Sequence, residues 1–100
     1  MAISRNWKAI SFDGVAGPEI KVNAEVNTGM LTVMPELTKR GVLESFPGVL
    51  ELNLLNASDA AHEHFLPVQY NEKIPSVKEY GSVQIFYKDQ LIKSIKVEIV

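Results

Sequence analysis

Apolar and polar residues alternate along three segments of the chain, and this alternation predicts β-strands. The segments run from Ile20 to Val26, from Leu50 to Leu54 and from Ile95 to Ile99. Successive side chains of a strand point to opposite faces, so alternation with one polar face is typical of strands that are buried on one side, as in antiparallel sheets. We therefore predict a strand in each segment, with Val22 and Leu52 in the core.

Other segments predict strands through β-branched and aromatic residues bounded by turn signals. They are Trp7–Phe12, Met30–Met34, Leu66–Ile74 and Ser82–Lys88, and the last alternating segment extends over Leu91–Val100. Proline cannot donate a backbone hydrogen bond to a neighbouring strand, so Pro67 predicts that its segment lies at a sheet edge or forms a bent strand. Asp89 and Gln90 separate the final two strands and predict a two-residue hairpin turn.

Two segments break the strand pattern and predict short helical turns. Pro35–Arg40 begins with proline and is followed by Gly41, which are the residues that typically open and close a helix. Ser58–Glu63 begins with a helix-capping residue and contains two alanines. Each is too short to form a stable helix alone, so both turns must pack against the strands.

These elements together predict an all-β domain that spans residues 1–100. A chain of 100 residues that is 46% hydrophobic buries about 65% of its surface on folding, which is enough for one core. About seven short strands separated by turns favour an immunoglobulin-like antiparallel β-sandwich with one or two short helical turns. A small Greek-key barrel is the alternative, because it would produce the same sequence pattern.

The charge pattern argues against several classes of partner. Ten basic and twelve acidic residues give a net charge of −2, and the basic residues do not cluster. Proteins that grip nucleic acid present a basic patch, so we do not expect nucleic-acid binding. No apolar run approaches the ~18 residues of a membrane-spanning helix, so we expect no membrane span.

The N-terminus leaves the cellular compartment open between two alternatives. Residues 1–6 lack the apolar stretch of a signal peptide. If Met1 is the native start, the protein is expected to be cytoplasmic. If a signal peptide was removed, it is expected to be secreted or periplasmic. The absence of cysteine fits either compartment.

The sequence contains no pattern that predicts catalysis. No serine lies in a Gly-x-Ser-x-Gly motif, and there is no cysteine nucleophile. Nothing marks two carboxylates as a facing acid–base pair. We therefore predict a protein that is not an enzyme and that needs no cofactor.

A long loop segment that is rich in apolar residues predicts a protein-binding surface instead. Residues 35–48 form a long connection that carries both apolar anchors and a basic pair. The candidate residues are Leu37, Lys39, Arg40, Leu43 and Phe46. The apolar members would anchor a partner, and the basic pair would steer an acidic one. Alternatively, the apolar side chains fold back as a lid over the core. The leading hypothesis is a protein-binding or assembly module, either an accessory subunit or an inhibitor, with its oligomeric state left open.

Two histidines suggest an alternative function as a small copper or zinc carrier. His62 and His64 flank Glu63, and residues two apart project from one face of a strand but not of a helix. A site would also need Asp59, Glu63 or a distant methionine as a further ligand. The competing interpretation is two exposed loop histidines.

A second alternative is a carbohydrate-binding sandwich. In that case Trp7, Tyr70 or Tyr80 would stack on a sugar ring. Scattered aromatic residues are more often part of a core.

Overall fold

The computed structural model describes residues 3–59 and 63–100, and within these ranges the chain forms seven strands and no helix. The strands are β1 (Ser4–Gly14), β2 (Gly17–Asn27), β3 (Glu36–Leu43), β4 (Gly48–Leu55), β5 (Phe65–Lys73), β6 (Tyr80–Tyr87) and β7 (Gln90–Ile99). The predicted all-β class is therefore confirmed.

The strands form one mixed sheet that is nearly barrel-shaped, in the order β3-β4-β6-β7-β1-β2-β5. Its two end strands, β3 and β5, approach each other across the remaining seam. The pairs β4–β6 and β1–β7 are parallel, and the other neighbouring pairs are antiparallel. The immunoglobulin-like antiparallel sandwich is thus not confirmed, because alternation identifies strands but not their partners. The proline-containing strand β5 does lie at an end of the sheet, as predicted.

Strand β7 belongs to both halves of the sheet. Its first part pairs antiparallel with β6, from Gln90 to Lys96. Its last part, Val97–Ile99, pairs parallel with β1 instead. The β6–β7 ladder ends at the pair Ser82 and Lys96, so the start of β6 and the end of β7 separate. This separation, which we call the sheet split, positions the candidate site described below.

The buried face of the sheet follows the predicted alternation. Val22 and Leu52 are both 0% exposed. The other alternating positions that are buried are Ile20, Ala24, Val26, Leu50, Leu54, Ile95 and Val97. Ile99 is the exception, because its side chain is 54% exposed beside the sheet split.

The helical turn predicted over Pro35–Arg40 is not seen, because residues 36–43 form β3. Pairing of Leu37 with Leu54 of β4 buries the Leu37 side chain, which a single helical turn would not do. The register of β3 shifts between Lys39 and Gly41. An extra residue of this kind interrupts period two and thereby hides a strand from pattern analysis.

Two further sequence predictions differ from the structure. Residues 30–34, predicted as a strand, form turns and irregular backbone, and Met30 and Met34 are exposed. In the predicted helical turn Ser58–Glu63, the described residues 58, 59 and 63 are irregular. Residues 60–62 lie outside the described part of the chain.

Asn27, at the end of β2, forms hydrogen bonds with Ser58 and His64. Its buried side-chain Oδ1 accepts hydrogen bonds from the backbone N–H groups of Gly29 and His64, each at 3.0 Å. Its backbone oxygen accepts one from the N–H of Ser58 at 2.7 Å. Buried polar groups that satisfy backbone donors in this way fix the course of irregular segments.

The β6–β7 hairpin turns at Lys88 and Asp89, one residue earlier than predicted, because Tyr87 pairs with Gln90. Both turn residues have positive φ, 50° and 64°. This conformation matches a type I′ turn, in which glycine and asparagine are preferred at both central positions.

Replacing Lys88 by glycine is expected to stabilise the protein. A residue with a Cβ pays about 1–2 kcal/mol in the left-handed conformation, and glycine's greater freedom in the unfolded chain offsets part of that gain. We expect the free energy of unfolding to rise by about 0.5–1 kcal/mol, measured by urea denaturation. The same change at Lys93, within the strand β7, should lower it. A decrease for both variants would contradict the turn assignment.

Candidate functional site

An apolar groove of about 350 Å³ lies at the sheet split. Three segments line it: the β3–β4 loop, the start of β6 with the loop before it, and the end of β7. The lining residues are Phe46, Pro47, Lys78, Tyr80, Gly81, Lys96, Val97 and Ile99. Its volume is at the small end of the range of about 300–1,000 Å³ that is usual for ligand sites.

The wall that carries Phe46 is held against β6 by close backbone packing. A Cβ atom at Gly81 would lie 2.5 Å from Pro47 Cγ, so only glycine lets the proline ring approach β6 this closely. The N–H of Gly48 donates to the backbone oxygen of Glu79 at 2.9 Å. Ser45 Oγ donates to the backbone oxygen of Pro47 at 2.9 Å. The loop is therefore fixed while Phe46 itself is 90% exposed.

Two lysines give the groove a positive rim. Lys78 and Lys96 are both exposed and line the groove, and no carboxylate side chain lines it. Neither lysine forms an ion pair with any residue in the described ranges. Their charge is therefore available to a ligand or partner.

The apolar residues of the predicted protein-binding surface separate into two groups. Phe46 and Leu43 are exposed at the groove end of the molecule, Leu43 at 48%. Leu37 is 7% exposed and belongs to the core, so in this structure its side chain does not face a partner. Phe46, by contrast, projects outward.

Lys39, one of the two cations predicted to steer a partner, is part of a network around Glu72. The Glu72 carboxylate accepts hydrogen bonds from the Tyr70 and Tyr80 hydroxyls, both at 2.7 Å. Lys39 Nζ lies 3.1 Å from the same carboxylate. The network joins β3, β5 and β6, and its ion pair spans the seam between the two end strands. We call it the seam network.

Burial and hydrogen bonding compete in setting the pKa values of the seam network. Burial raises the pKa of Glu72, but hydrogen bonds from Tyr70, Tyr80 and Lys39 favour the carboxylate and leave its pKa below the usual value. Burial is also the main reason that the pKa of each tyrosine is raised, and hydrogen bonding to Glu72 adds to it. The network is therefore ionised at Glu72 and neutral at the tyrosines near pH 7.

Arg40, the second predicted steering cation, is also engaged within the chain. Its Nη1 donates to Asp89 Oδ1 at 2.9 Å and to Asn53 Oδ1 at 3.2 Å. Its guanidinium lies 4.3 Å from the centre of the Phe86 ring. The structure thus places Lys39 and Arg40 in internal contacts and leaves Lys78 and Lys96 free at the groove.

The candidate metal ligands are only partly visible. His62 lies outside the described residues. The backbone of His64 contacts the end of β2 and the residue after it: its N–H donates to Asn27 Oδ1, and its carbonyl oxygen accepts from the N–H of Thr28. Across the described ranges, no three histidine, cysteine or acidic side chains come together as a metal-binding group.

The aromatic residues considered for sugar stacking do not form an exposed face. Tyr80 is buried and Tyr70 is half-buried in the seam network. Trp7 packs against the core, and its Nε1 donates to Ser4 Oγ at 2.9 Å.

Sequence analysis identified Phe46 but missed Lys78, Lys96 and the apolar end of β7 as one surface. Pro47 and Gly81 are the one sequence signal that could have suggested a close approach between the β3–β4 loop and the start of β6. Nothing in the alternation marks where β7 leaves β6, because a strand that changes partner keeps its period of two.

Comparisons with protein-family models, with curated proteins and with solved structures found no match to this chain. Within the described residues, the structure contains no helix with the length and hydrophobicity to cross a bilayer.

Substituting Phe46 by alanine is expected to leave stability almost unchanged. Its side chain is already in solvent, and substitutions at such positions usually change the free energy of unfolding by less than about 0.5 kcal/mol. Thermal and urea unfolding of the purified variant measure this directly. A loss of several kcal/mol would mean that Phe46 is a core residue and would favour the lid interpretation.

Proposed function

We propose that this protein is a non-enzymatic protein-binding module that contacts its partner through the groove end, with Phe46 as the central anchor. The observation that carries the proposal is an almost fully exposed phenylalanine on a loop that is itself held rigidly against the sheet. Aromatic residues, phenylalanine included, are enriched at protein interfaces, and a few central residues carry most of the binding energy there.

The surroundings of Phe46 support an interface rather than an isolated apolar residue. Ile99 is exposed and lines the groove, and two further exposed apolar residues, Leu43 and Val100, lie close in the chain to lining residues. Large exposed apolar surfaces with polar rims often mark interaction sites. The two free lysines at the groove supply such a rim.

The groove offers little support for a catalytic alternative. Its polar side chains are Lys78, Lys96 and Tyr80, and the Tyr80 hydroxyl already donates to Glu72. Acid–base or nucleophilic catalysis requires a base within hydrogen-bond reach of the reacting group. We therefore favour a protein whose rigid sheet presents loops at one end to a partner. In this role it would act as an accessory subunit or an inhibitor.

Site-specific photo-crosslinking tests the proposal. A benzophenone amino acid placed at residue 46 should cross-link one partner protein in cells that express this chain, and the same group at Val15 is the control. Val15 is fully exposed on the β1–β2 turn and does not line the groove. With the purified partner, Phe46→Ala should weaken binding about tenfold or more without a change in melting temperature. Equal cross-linking from both positions, or unchanged affinity of the alanine variant, would contradict the proposal.

A further inference from the structure

We infer that the groove accepts an extended, acidic segment of the partner, which adds as a strand to the open side of β7. The inference rests on the proposed function, because it names the part of the partner that would occupy the groove. Three features of the sheet split carry it: an unpaired strand edge, an apolar lining and a positive rim.

The unpaired edge lies along Val97–Ile99. On one side these residues pair with β1, at Ala9, Ile10 and Ser11. The β6–β7 ladder contains no pair beyond Ser82 and Lys96, so the other side of Val97–Ile99 has no neighbouring strand among residues 3–59 and 63–100. Backbone N–H and C=O groups strongly favour hydrogen-bonded partners, and an open edge is the place where extended peptides add to a sheet.

The open edge of β7 favours an extended chain over a helix. The backbone N–H and C=O groups of a helix are already paired with one another, whereas those of an extended chain are free to pair with a strand edge. In an extended segment, alternate side chains point to one face, so apolar side chains at every second position can contact Phe46, Val97 and Ile99.

The charge of the rim selects an acidic segment. Lys78 and Lys96 line the groove and form no ion pair with the described part of the chain, and the neighbouring Glu79 and Glu98 do not line the groove. Both charged side chains that line the groove are therefore positive, although the whole chain has a net charge of −2. Complementary charge of this kind increases the association rate and excludes partners of the wrong sign.

Fluorescence anisotropy with short labelled peptides tests the inference. The probe is a hexapeptide of alternating valine and glutamate, compared with alternating valine and lysine and with alternating serine and glutamate. We expect the valine–glutamate peptide to bind at least about tenfold more tightly than either comparison peptide. Binding should weaken as salt increases, because exposed charges are screened.

Charge-reversed variants identify the residues responsible. Lys78→Glu combined with Lys96→Glu should weaken binding of the valine–glutamate peptide about tenfold or more. The matched control is Lys93→Glu, which reverses an exposed charge on the same strand outside the groove. Hydrogen exchange should show slower exchange of amides in Val97–Ile99 when the valine–glutamate peptide is bound.

Each failure has a distinct meaning. Equal affinity for the glutamate and lysine peptides, or equal weakening by the control variant, would overturn the charge selection. Binding without protection in Val97–Ile99 would overturn strand addition. If Phe46 cross-links a partner but no acidic peptide binds, this inference fails while the proposed function stands; if Phe46 cross-links nothing, the proposed function fails on its own test.

Discussion

Replacing Val22 by aspartate is expected to abolish folding. Val22 is 0% exposed at the middle of β2, between Ala9 of β1 and Tyr70 of β5. The change removes about 1.5–3 kcal/mol of apolar burial and adds an unpaired buried charge that costs several kcal/mol more. The sum is comparable with the about 5–15 kcal/mol that stabilises a typical domain. Far-UV circular dichroism should show loss of the β signal at 25 °C.

Lys21→Ala is the matched control on the opposite face of the same strand. The Lys21 side chain has one ring contact, with its Nζ 5.9 Å from the centre of the Phe12 ring. Its loss should change the free energy of unfolding by less than about 0.5 kcal/mol. Equal damage from the two substitutions would mean that β2 is buried on both faces, in conflict with the alternating burial of the strand.

Replacing Glu72 by alanine is expected to cost about 3 kcal/mol, because two tyrosine hydroxyls lose a charged acceptor. Tyr80 is buried and Tyr70 is half-buried, so water cannot fully replace the lost bonds. Lys39 also loses its ion pair across the seam. Urea denaturation at pH 7 measures the effect. A loss below about 1 kcal/mol would show that the seam network contributes little to closing the sheet.

The contribution of Glu72 should also depend on pH. The pKa of its carboxyl group is lowered in the folded protein, whereas in the unfolded chain it is about 4.3. A carboxyl group whose pKa is lower in the folded state stabilises the protein at pH values above its pKa in the unfolded chain. This contribution is lost as the pH falls through the pKa of the folded state. The free energy of unfolding of the wild type should therefore exceed that of Glu72→Gln by a larger amount at pH 7 than at pH 3. A difference that is constant with pH would contradict the lowered pKa.

The strands that sequence analysis located best are those with one uniformly apolar face. Between Ile20 and Val26 of β2, and between Leu50 and Leu54 of β4, every inward residue is aliphatic and every outward residue is polar. Burial then dictates both the extent of the strand and its orientation, because a shift by one residue would expose the whole apolar set. These strands could therefore be located without knowing which strands would become their neighbours in the sheet.

Strand β3 was missed because two local signals overrode a weak pattern. Pro35 and Gly41 resemble the ends of a helix, and the register shift after Lys39 breaks the alternation. Pairing with β4 across Leu37 and Leu54 decides the structure, and pairing is a tertiary effect that local propensity does not contain. Residues 30–34 show the converse error, since their β-prone composition has no sheet neighbour.

The candidate site was predictable only at Phe46, for the same reason. Within the seam network, the contact between Tyr70 and Glu72 could be predicted from the sequence, because residues two apart in a strand lie on the same face. The contributions of Lys39 and Tyr80 depend on which strands become neighbours. The groove depends on β7 changing partner after Lys96, and the parallel pairs that produce this topology leave no mark in a single sequence.

The position of β7 also sets the order in which the chain can complete its fold during synthesis. β1 leaves the ribosome well before its parallel neighbour, Val97–Ile99, because the strands β2 to β6 lie between them in the chain. At about 5–20 residues per second, that side of β1 waits roughly 4–17 s for its partner. Throughout this interval a nascent chain exposes an unpaired edge that another nascent chain could occupy. Ribosomes spaced closely on one message would therefore favour mispairing between chains, and slower initiation would favour pairing of β1 with β7 of the same chain.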